Sequence, residues 1–173
     1  ARLKIPDPYD LFSRRPEPLV PRDRVLEVRE RMRPDGSTET APERESVLAA
    51  LAKAEALGAE GIVIGFLHSY ANPAHEQAVK AMLLAERPAM PVFCSAEIWP
   101  IVREYERSVT ACIHGSVQPR VAHYVGRLEA ALAERGVPAA PMVTKSNGGV
   151  MTAAAGKVRS IEMLLSGTAA GAI

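Results

Sequence analysis

Between residues 40 and 58 apolar side chains recur at helical spacing (Val47, Leu48, Leu51, Ala54 and Leu57), which predicts an amphipathic helix. Thr40-Ala41-Pro42-Glu43 has the form of a capping box at its start, and Gly58 that of a C-terminal stop. Gly61 to Leu67 is apolar on both faces, as a buried parallel strand requires. Asn72-Pro73 opens a second helix, whose buried stripe is Val79, Met82 and Leu83 and whose end is Arg87-Pro88. Pro91 to Cys94 is a second buried-type strand. Strand, helix and strand at this spacing predict a βαβ crossover.

The remaining pattern is less regular. Residues 98–135 read as mainly helical, with Val121, Tyr124, Val125, Leu128 and Leu132 as a stripe behind Pro119 and Gly136 as the stop. Pro141 to Thr144 is a short strand running into Ser146-Asn147-Gly148-Gly149, and Ile161 to Ile173 is an apolar tail rich in small residues. Arg24 to Met32 alternates as a half-exposed strand would, and Pro34-Asp35-Gly36 is a turn. Pro6, Pro8, Pro16, Pro18 and Pro21 forbid a continuous helix over residues 1–23 and suit an extended arm. Tyr9, Leu11, Phe12, Leu19 and Val20 would pin that arm onto another surface. The fold class expected is α/β, with βαβ units and a mostly parallel sheet flanked by helices.

Composition narrows the function little. With 21 basic and 20 acidic residues the formal charge is +1, so nothing marks a nucleic-acid or membrane surface. The two cysteines, Cys94 and Cys112, make neither a disulfide framework nor a zinc site by themselves, and a reduced, cytoplasmic thiol pair is expected. The chain starts at Ala1 without a methionine and stops at Ile173 within an apolar run, so a piece of a longer polypeptide is expected.

Several stretches could carry chemistry. Two glycines in Ser146 to Gly149 would let backbone amides surround an anion, although on spacing alone a tight turn whose glycines only serve geometry is the favoured reading. Gly156-Lys157 is no P-loop, because Met151 and Val158 stand where Gly and Ser/Thr are required. His68 falls just past the C-terminal end of a buried strand, where open α/β sheets gather ligands. His75 lies in the next helix, but two histidines without a third ligand are no metal signature, and no metal site is expected. Glu104 and Glu106 point to different helix faces and form no acid–base dyad. Arg103–Glu106 and Glu104–Arg107 have the spacing of surface ion pairs. Ser166-Gly167-Thr168-Ala169-Ala170-Gly171 permits close backbone approach, either at a domain seam or near a phosphate, or else in a tightly packed core helix. The cysteines lack the context of a nucleophile, and no Gly-x-Ser-x-Gly elbow occurs.

Taken in order, these stretches resemble the ATP-dependent hydantoinase/oxoprolinase family, and within it the hydantoinase A-type subunit. The resemblance runs over nearly the whole chain. It rests on Pro8-Tyr9-Asp10-Leu11-Phe12 through Pro21, on Leu67-His68-Ser69-Tyr70-Ala71-Asn72-Pro73-Ala74-His75-Glu76, and on Arg103 to Ser108. Ser146 to Met151 and Leu164 to Gly171 complete it, the last departing from the family's Ser-Gly-Pro-Ala-Ala-Gly at Thr168.

The resemblance implies part of one lobe of an actin-like ATPase. It divides the chain into the arm 1–23, an α/β part of the N-terminal region over 24–107, and the start of the hydantoinase A domain over 108–173. It implies ATP and Mg²⁺ in the full-length enzyme, a small cyclic amide (5-oxoproline or a hydantoin) as substrate, a hydantoinase B-type partner subunit or domain, and a homo-oligomer. An unstrained lactam is a poor electrophile, and phosphorylating its oxygen would let water attack. The family's Asp-x-Gly-Gly-Thr phosphate hairpins are not in this sequence, so the chain alone is expected to be inactive and without cofactor. Ser146, Asn147, Gly148, Gly149, Ser166, Gly167, Thr168 and Gly171 are the residues implied nearest the nucleotide. His68 and Glu104 are candidates for substrate or structural roles. Acetone and acetophenone carboxylase-type subunits share these motifs, and a non-catalytic assembly domain is a further alternative.

Overall fold

The computed structural model describes residues 9–13 and 17–171. Pro6, Pro8, Pro16 and Ile173, on which parts of the arm and tail readings rest, lie outside the described residues. In the described part of the arm, Tyr9, Leu11, Phe12 and Leu19 are all exposed.

Most of 24–32 does not pair. A short 3-10 turn occupies Arg22–Arg24, and only Arg31–Met32 forms a strand (β1), antiparallel to β2, Thr38–Thr40. The turn between them has Gly36 at φ +82°, with Asp35 Oδ1 accepting from the Ser37 amide (2.9 Å) and hydroxyl (2.7 Å). Thr40 is held in this ladder opposite Arg31 and is therefore not the cap of the next helix. α1, Arg44–Ala56, starts at Glu43. There the Ser46 hydroxyl donates to the Glu43 carbonyl and accepts from the Arg29 amide, so the segment before β1 is tied to the helix start. Gly58 ends α1 at φ +68°. Its amide reaches Glu55 O and the Ala59 amide reaches Ala54 O, the paired bonds of a Schellman motif.

The βαβ unit is present. β3, Ile62–Ile64, pairs in parallel with β4, Val92–Cys94, and α2, Ala74–Glu86, connects them. Val47 and Leu51 of α1, Val79 and Leu83 of α2, and Ile64, Val92 and Cys94 form one core cluster. The architecture is mixed α/β with small sheets, not the mostly parallel sheet expected. The other pairs, β1–β2 and β5–β6 (Met142–Thr144 with Val150–Thr152), are antiparallel hairpins. The reason is connection length, since five-residue turns can join only antiparallel neighbours.

A four-residue helix α3, Ser95–Ile98, leads to α4, Glu104–Glu134, which runs unbroken through Pro119 to a second Schellman stop at Gly136. Its buried residues are Arg107, Ala111, His114 and Val125. Of the stripe expected behind Pro119 only Val125 is fully buried, and Tyr124 is exposed. The first half of α4 covers β3 and β4. Its second half carries α5, Ala153–Val158, capped by the Thr152 hydroxyl, and a 3-10 turn over Ser160–Met163. The tail is not one helix: Leu165 at φ +64° separates the 3-10 turn from α6, Ser166–Gly171.

Where α4 crosses the parallel pair the helix residue is Gly115. A Cβ there would meet Phe93 and Val63 side-chain carbons at 3.1 Å. Gly115→Val should therefore lose stability in urea unfolding, although valine has the better helix propensity. An unchanged midpoint would mean that α4 does not press on the sheet at this point.

Candidate functional site

The C-terminal ends of β3 and β4 converge on three polar side chains with no exposure at all: Glu76, Ser95 and Arg107. Glu76 enters from the first turn of α2, and its Oε1 accepts from the Phe66 amide (3.1 Å) and the Ser95 hydroxyl (2.7 Å). Its Oε2 accepts from the Ala96 amide at 2.9 Å. Arg107, from the first turn of α4, donates through Nε to Ser95 Oγ (3.0 Å), through Nη1 to Ile101 O (2.7 Å) and through Nη2 to Phe66 O (2.6 Å). Ser95 thus relays between carboxylate and guanidinium. The pair meets the backbone groups that two short strands leave open where they end.

This arrangement corrects the reading of Arg107 as half of a surface pair with Glu104. Arg103 does lie 3.8 Å from Glu106, but Arg107 faces the core and Glu104 is exposed at the start of α4. The signal was available in the sequence: Arg107, Ala111 and His114 recur at the spacing of one helix face, and that face is the buried one.

His68 occupies the turn just past β3, half-buried and at φ +58°, a region that non-glycine residues adopt rarely. Its carbonyl accepts from the Ala71 and Asn72 amides, and its ring meets Tyr70 edge-on at 6.2 Å. The turn is anchored from below, because the Ser69 hydroxyl donates to the same Phe66 carbonyl that Arg107 holds. Asn72, one residue before the Pro73 cap of α2, accepts from the Ala74 amide through Oδ1 and donates through Nδ2 to Gly36 O in the β1–β2 turn. His75 is buried between the two elements, with Nδ1 2.7 Å from Glu30 Oε2 and Nε2 3.1 Å from Thr38 Oγ1. It is a tether between hairpin and helix. Among the described residues, no three His, Cys, Asp or Glu side chains cluster as a metal site would need.

The second group of sequence candidates is assembled elsewhere. Ser146 donates its amide (2.7 Å) and hydroxyl (2.9 Å) to Glu162 O, and the hydroxyl also reaches Leu164 O. Lys145 pairs with Glu162 at 2.7 Å. The β5–β6 turn and the segment entering α6 are therefore fastened together, which brings Ser146, Asn147, Gly148 and Gly149 toward Ser166, Gly167, Thr168 and Gly171. The turn is closed on itself: the Gly148 amide donates to Lys145 O and the Gly149 amide to Asn147 Oδ1. With the Ser146 amide also engaged, this turn does not present an open ring of donors to a phosphate. His68 and Glu104 belong to the βαβ side and the start of α4, and the fold does not join them to this turn.

Neither cysteine is poised for nucleophilic work. Burial, then the carboxylates of Glu97 and Glu76, pushes the Cys94 thiol up to about 12, and burial also raises Cys112. His114, packed edge-on against Phe93 at 5.3 Å, has its pKa lowered by burial, and its Nδ1 has no hydrogen-bond partner among the described residues.

Two consequences are measurable. Arg107→Met should cost about 3–5 kcal/mol of unfolding free energy, because it leaves the buried Glu76 carboxylate without its countercharge and the Ile101 carbonyl without its donor. Arg107→Lys should recover little, since one ammonium cannot serve three divergent acceptors. A loss under about 1 kcal/mol in urea titrations would contradict this account of the network. For His114 the folded state disfavours the proton, so its contribution is present above the unfolded value near 6.5 and is lost as pH falls through the folded value. Wild type should therefore lose stability relative to His114→Leu between pH 7.5 and 5.5, and parallel stability curves would refute this.

Comparison with known proteins places the chain. Residues 1–86 match the hydantoinase/oxoprolinase N-terminal region and residues 107–173 the hydantoinase/oxoprolinase domain. An uncharacterised protein of Methanocaldococcus jannaschii is 34% identical over the whole chain, which covers 25% of that protein. The caprolactamase alpha subunit of Pseudomonas jessenii is 29% identical over 87% of the chain, covering 22% of its own length. The nucleotide-free structure of an acetone carboxylase superposes with a TM-score of 0.83 at 30% identity, over 92% of this chain and 23% of that one. The chain thus spans about a quarter of the length of these relatives. With both family segments matched in order around the βαβ unit and α4, the chain belongs to the hydantoinase/oxoprolinase family.

Proposed function

We propose that this chain is part of an enzyme that couples ATP cleavage to the opening of a cyclic amide, 5-oxoproline or a hydantoin. The observation that carries the reading is the match to both family segments, together with the ATP-dependent caprolactamase among the relatives. In this reading the chain contributes scaffold to one lobe of an actin-like architecture. Ser146 to Gly149 and Ser166 to Gly171 stand at the wall of the nucleotide cleft. The closed turn supports a wall more than a grip, so ATP and Mg²⁺ would be held by residues outside this sequence. His68, fixed in its strained turn above Phe66, is the substrate-side candidate, with Glu104 beside the start of α4. A hydantoinase B-type partner and a homo-oligomer complete the proposal, supported by the subunit naming of the caprolactamase relative. Among the described residues no helix is long and apolar enough to cross a membrane.

A second reading, ketone carboxylation, is favoured by the fold match to acetone carboxylase. One experiment separates them. The full-length protein is given ATP with 5-oxoproline, hydantoin or caprolactam, or with acetone and labelled bicarbonate, and phosphate release and products are followed. Cyclic-amide-dependent phosphate release with a ring-opened product is expected, and label fixed into a ketone would overturn it in favour of the carboxylase. The 173-residue chain by itself should release no phosphate.

A further inference from the structure

The turn between β3 and α2 is held along its backbone. The Phe66 amide donates to Glu76, and the Phe66 carbonyl accepts from Arg107 Nη2 (2.6 Å) and from the Ser69 hydroxyl (2.8 Å). The His68 carbonyl accepts from the Ala71 and Asn72 amides, and Asn72 Nδ2 reaches across to Gly36 O. The His68 imidazole is the exception. Among the described residues its ring nitrogens make no hydrogen bond, and its one aromatic contact is the edge of Tyr70. We propose that Ser69 is a positioning residue for the enzyme's reaction and acts through His68, by holding the left-handed turn that presents the imidazole at the ends of the parallel strands.

Two observations carry this. The first is what histidine brings to a position at φ +58°. Glycine would hold that backbone without steric cost, so the fold gains nothing from a Cβ there. What the position gains is an imidazole, a group that can donate and accept, and it hydrogen-bonds to nothing around it. It stands just past the C-terminal end of β3, where open α/β sheets gather ligands. The second is the redundancy at Phe66. Ser69 is only 3% exposed, yet the carbonyl it serves already has the Arg107 guanidinium as a donor. Its bond is therefore not needed to satisfy that carbonyl. What it adds is geometry, because a side chain reaching three residues back closes 66–69 into one turn and fixes the direction of residue 68 within it. Arg107 secures the strand ends, and Ser69 secures the loop that leaves them. The inference rests on the reading above only in placing His68 on the substrate side. A reacting group must be held within a fraction of an ångström, so loosening this one bond should cost turnover far more than stability.

The test is a double-mutant cycle in the full-length protein, with Ser69→Ala, His68→Gly and both together. Turnover is followed with whichever cyclic amide or ketone the wild type accepts, and hydrogen exchange of the 66–72 segment is followed by mass spectrometry. His68→Gly should keep the wild-type thermal midpoint and lower kcat by about tenfold or more. Ser69→Ala should lower kcat by a similar factor with a near wild-type midpoint, and the Ala71 and Asn72 amides should exchange several-fold faster. Because Ser69 acts through the imidazole, adding Ser69→Ala to His68→Gly should cost no further turnover, whereas a merely structural serine would give additive losses. Additive losses, full turnover in His68→Gly, or unchanged exchange in Ser69→Ala would each overturn the proposal. The wild type's choice of substrate alone decides the reaction. A ketone substrate would sink the ring-opening reading and leave the cycle as informative as before, and a wild type that turns over neither class would leave the exchange result to decide whether Ser69 holds the turn.

Discussion

An ionised carboxylate and a guanidinium with no solvent exposure are costly to bury, and the fold meets that cost at one place, the open ends of β3 and β4. Glu76 accepts three hydrogen bonds and Arg107 donates three, with the Ser95 hydroxyl accepting from one and donating to the other. Half-satisfied, such a network would be worse than an apolar filling; with these bonds made, it dictates geometry. It joins residues as far apart as Phe66 and Arg107, and it selects one seating of α4 on the parallel pair, because only that seating delivers the guanidinium to the Phe66 carbonyl.

The seating of α4 has consequences at both of its ends. Two-stranded sheets of three residues a strand are marginal on their own, and β3–β4 depends on α1, α2 and α4 to cover it. Gly115 allows the close crossing, and Pro119, which has no amide to give back to the Gly115 carbonyl, comes just after it. Beyond that point the same helix receives α5 and the 3-10 turn, through Lys157 to Glu129 and Gln118 to the Lys157 carbonyl. One helix therefore carries both groups of candidate residues, with the His68 turn near its start and the Ser146 turn served from its second half.

Much of this was legible in the amino-acid sequence wherever local chemistry alone decides the outcome. The βαβ unit followed from apolar runs and periodicity, and Gly58 and Gly136 end helices because positive φ is cheap there. What was not legible depended on partners distant in sequence. Thr40 has the spacing of a cap, but its backbone is claimed by a ladder with Arg31. Arg107 has the spacing of a surface pair, but the helix is rotated so that its face carrying Ala111 and His114 is inside. Glu76 stands out only as the end of the Leu67–Glu76 stretch and Ser95 not at all, because their role exists only where two strands end side by side.

The Ser146 turn shows how a glycine-rich motif can be read two ways. Gly148 at φ +83° and the glycine after it have the freedom an anion nest needs. In the folded chain that freedom is spent on closing a hairpin, while Ser146 turns its amide and hydroxyl to the carbonyls of Glu162 and Leu164. Those carbonyls belong to the segment that leads into Ser166, so the hydroxyl holds the α6 entrance against the hairpin at Leu165, where the backbone is left-handed. Ser146 is thereby a fastener between two stretches. These bonds and the Lys145–Glu162 pair couple the segment that leads into α6 to the hairpin, through residues that lie outside the βαβ core.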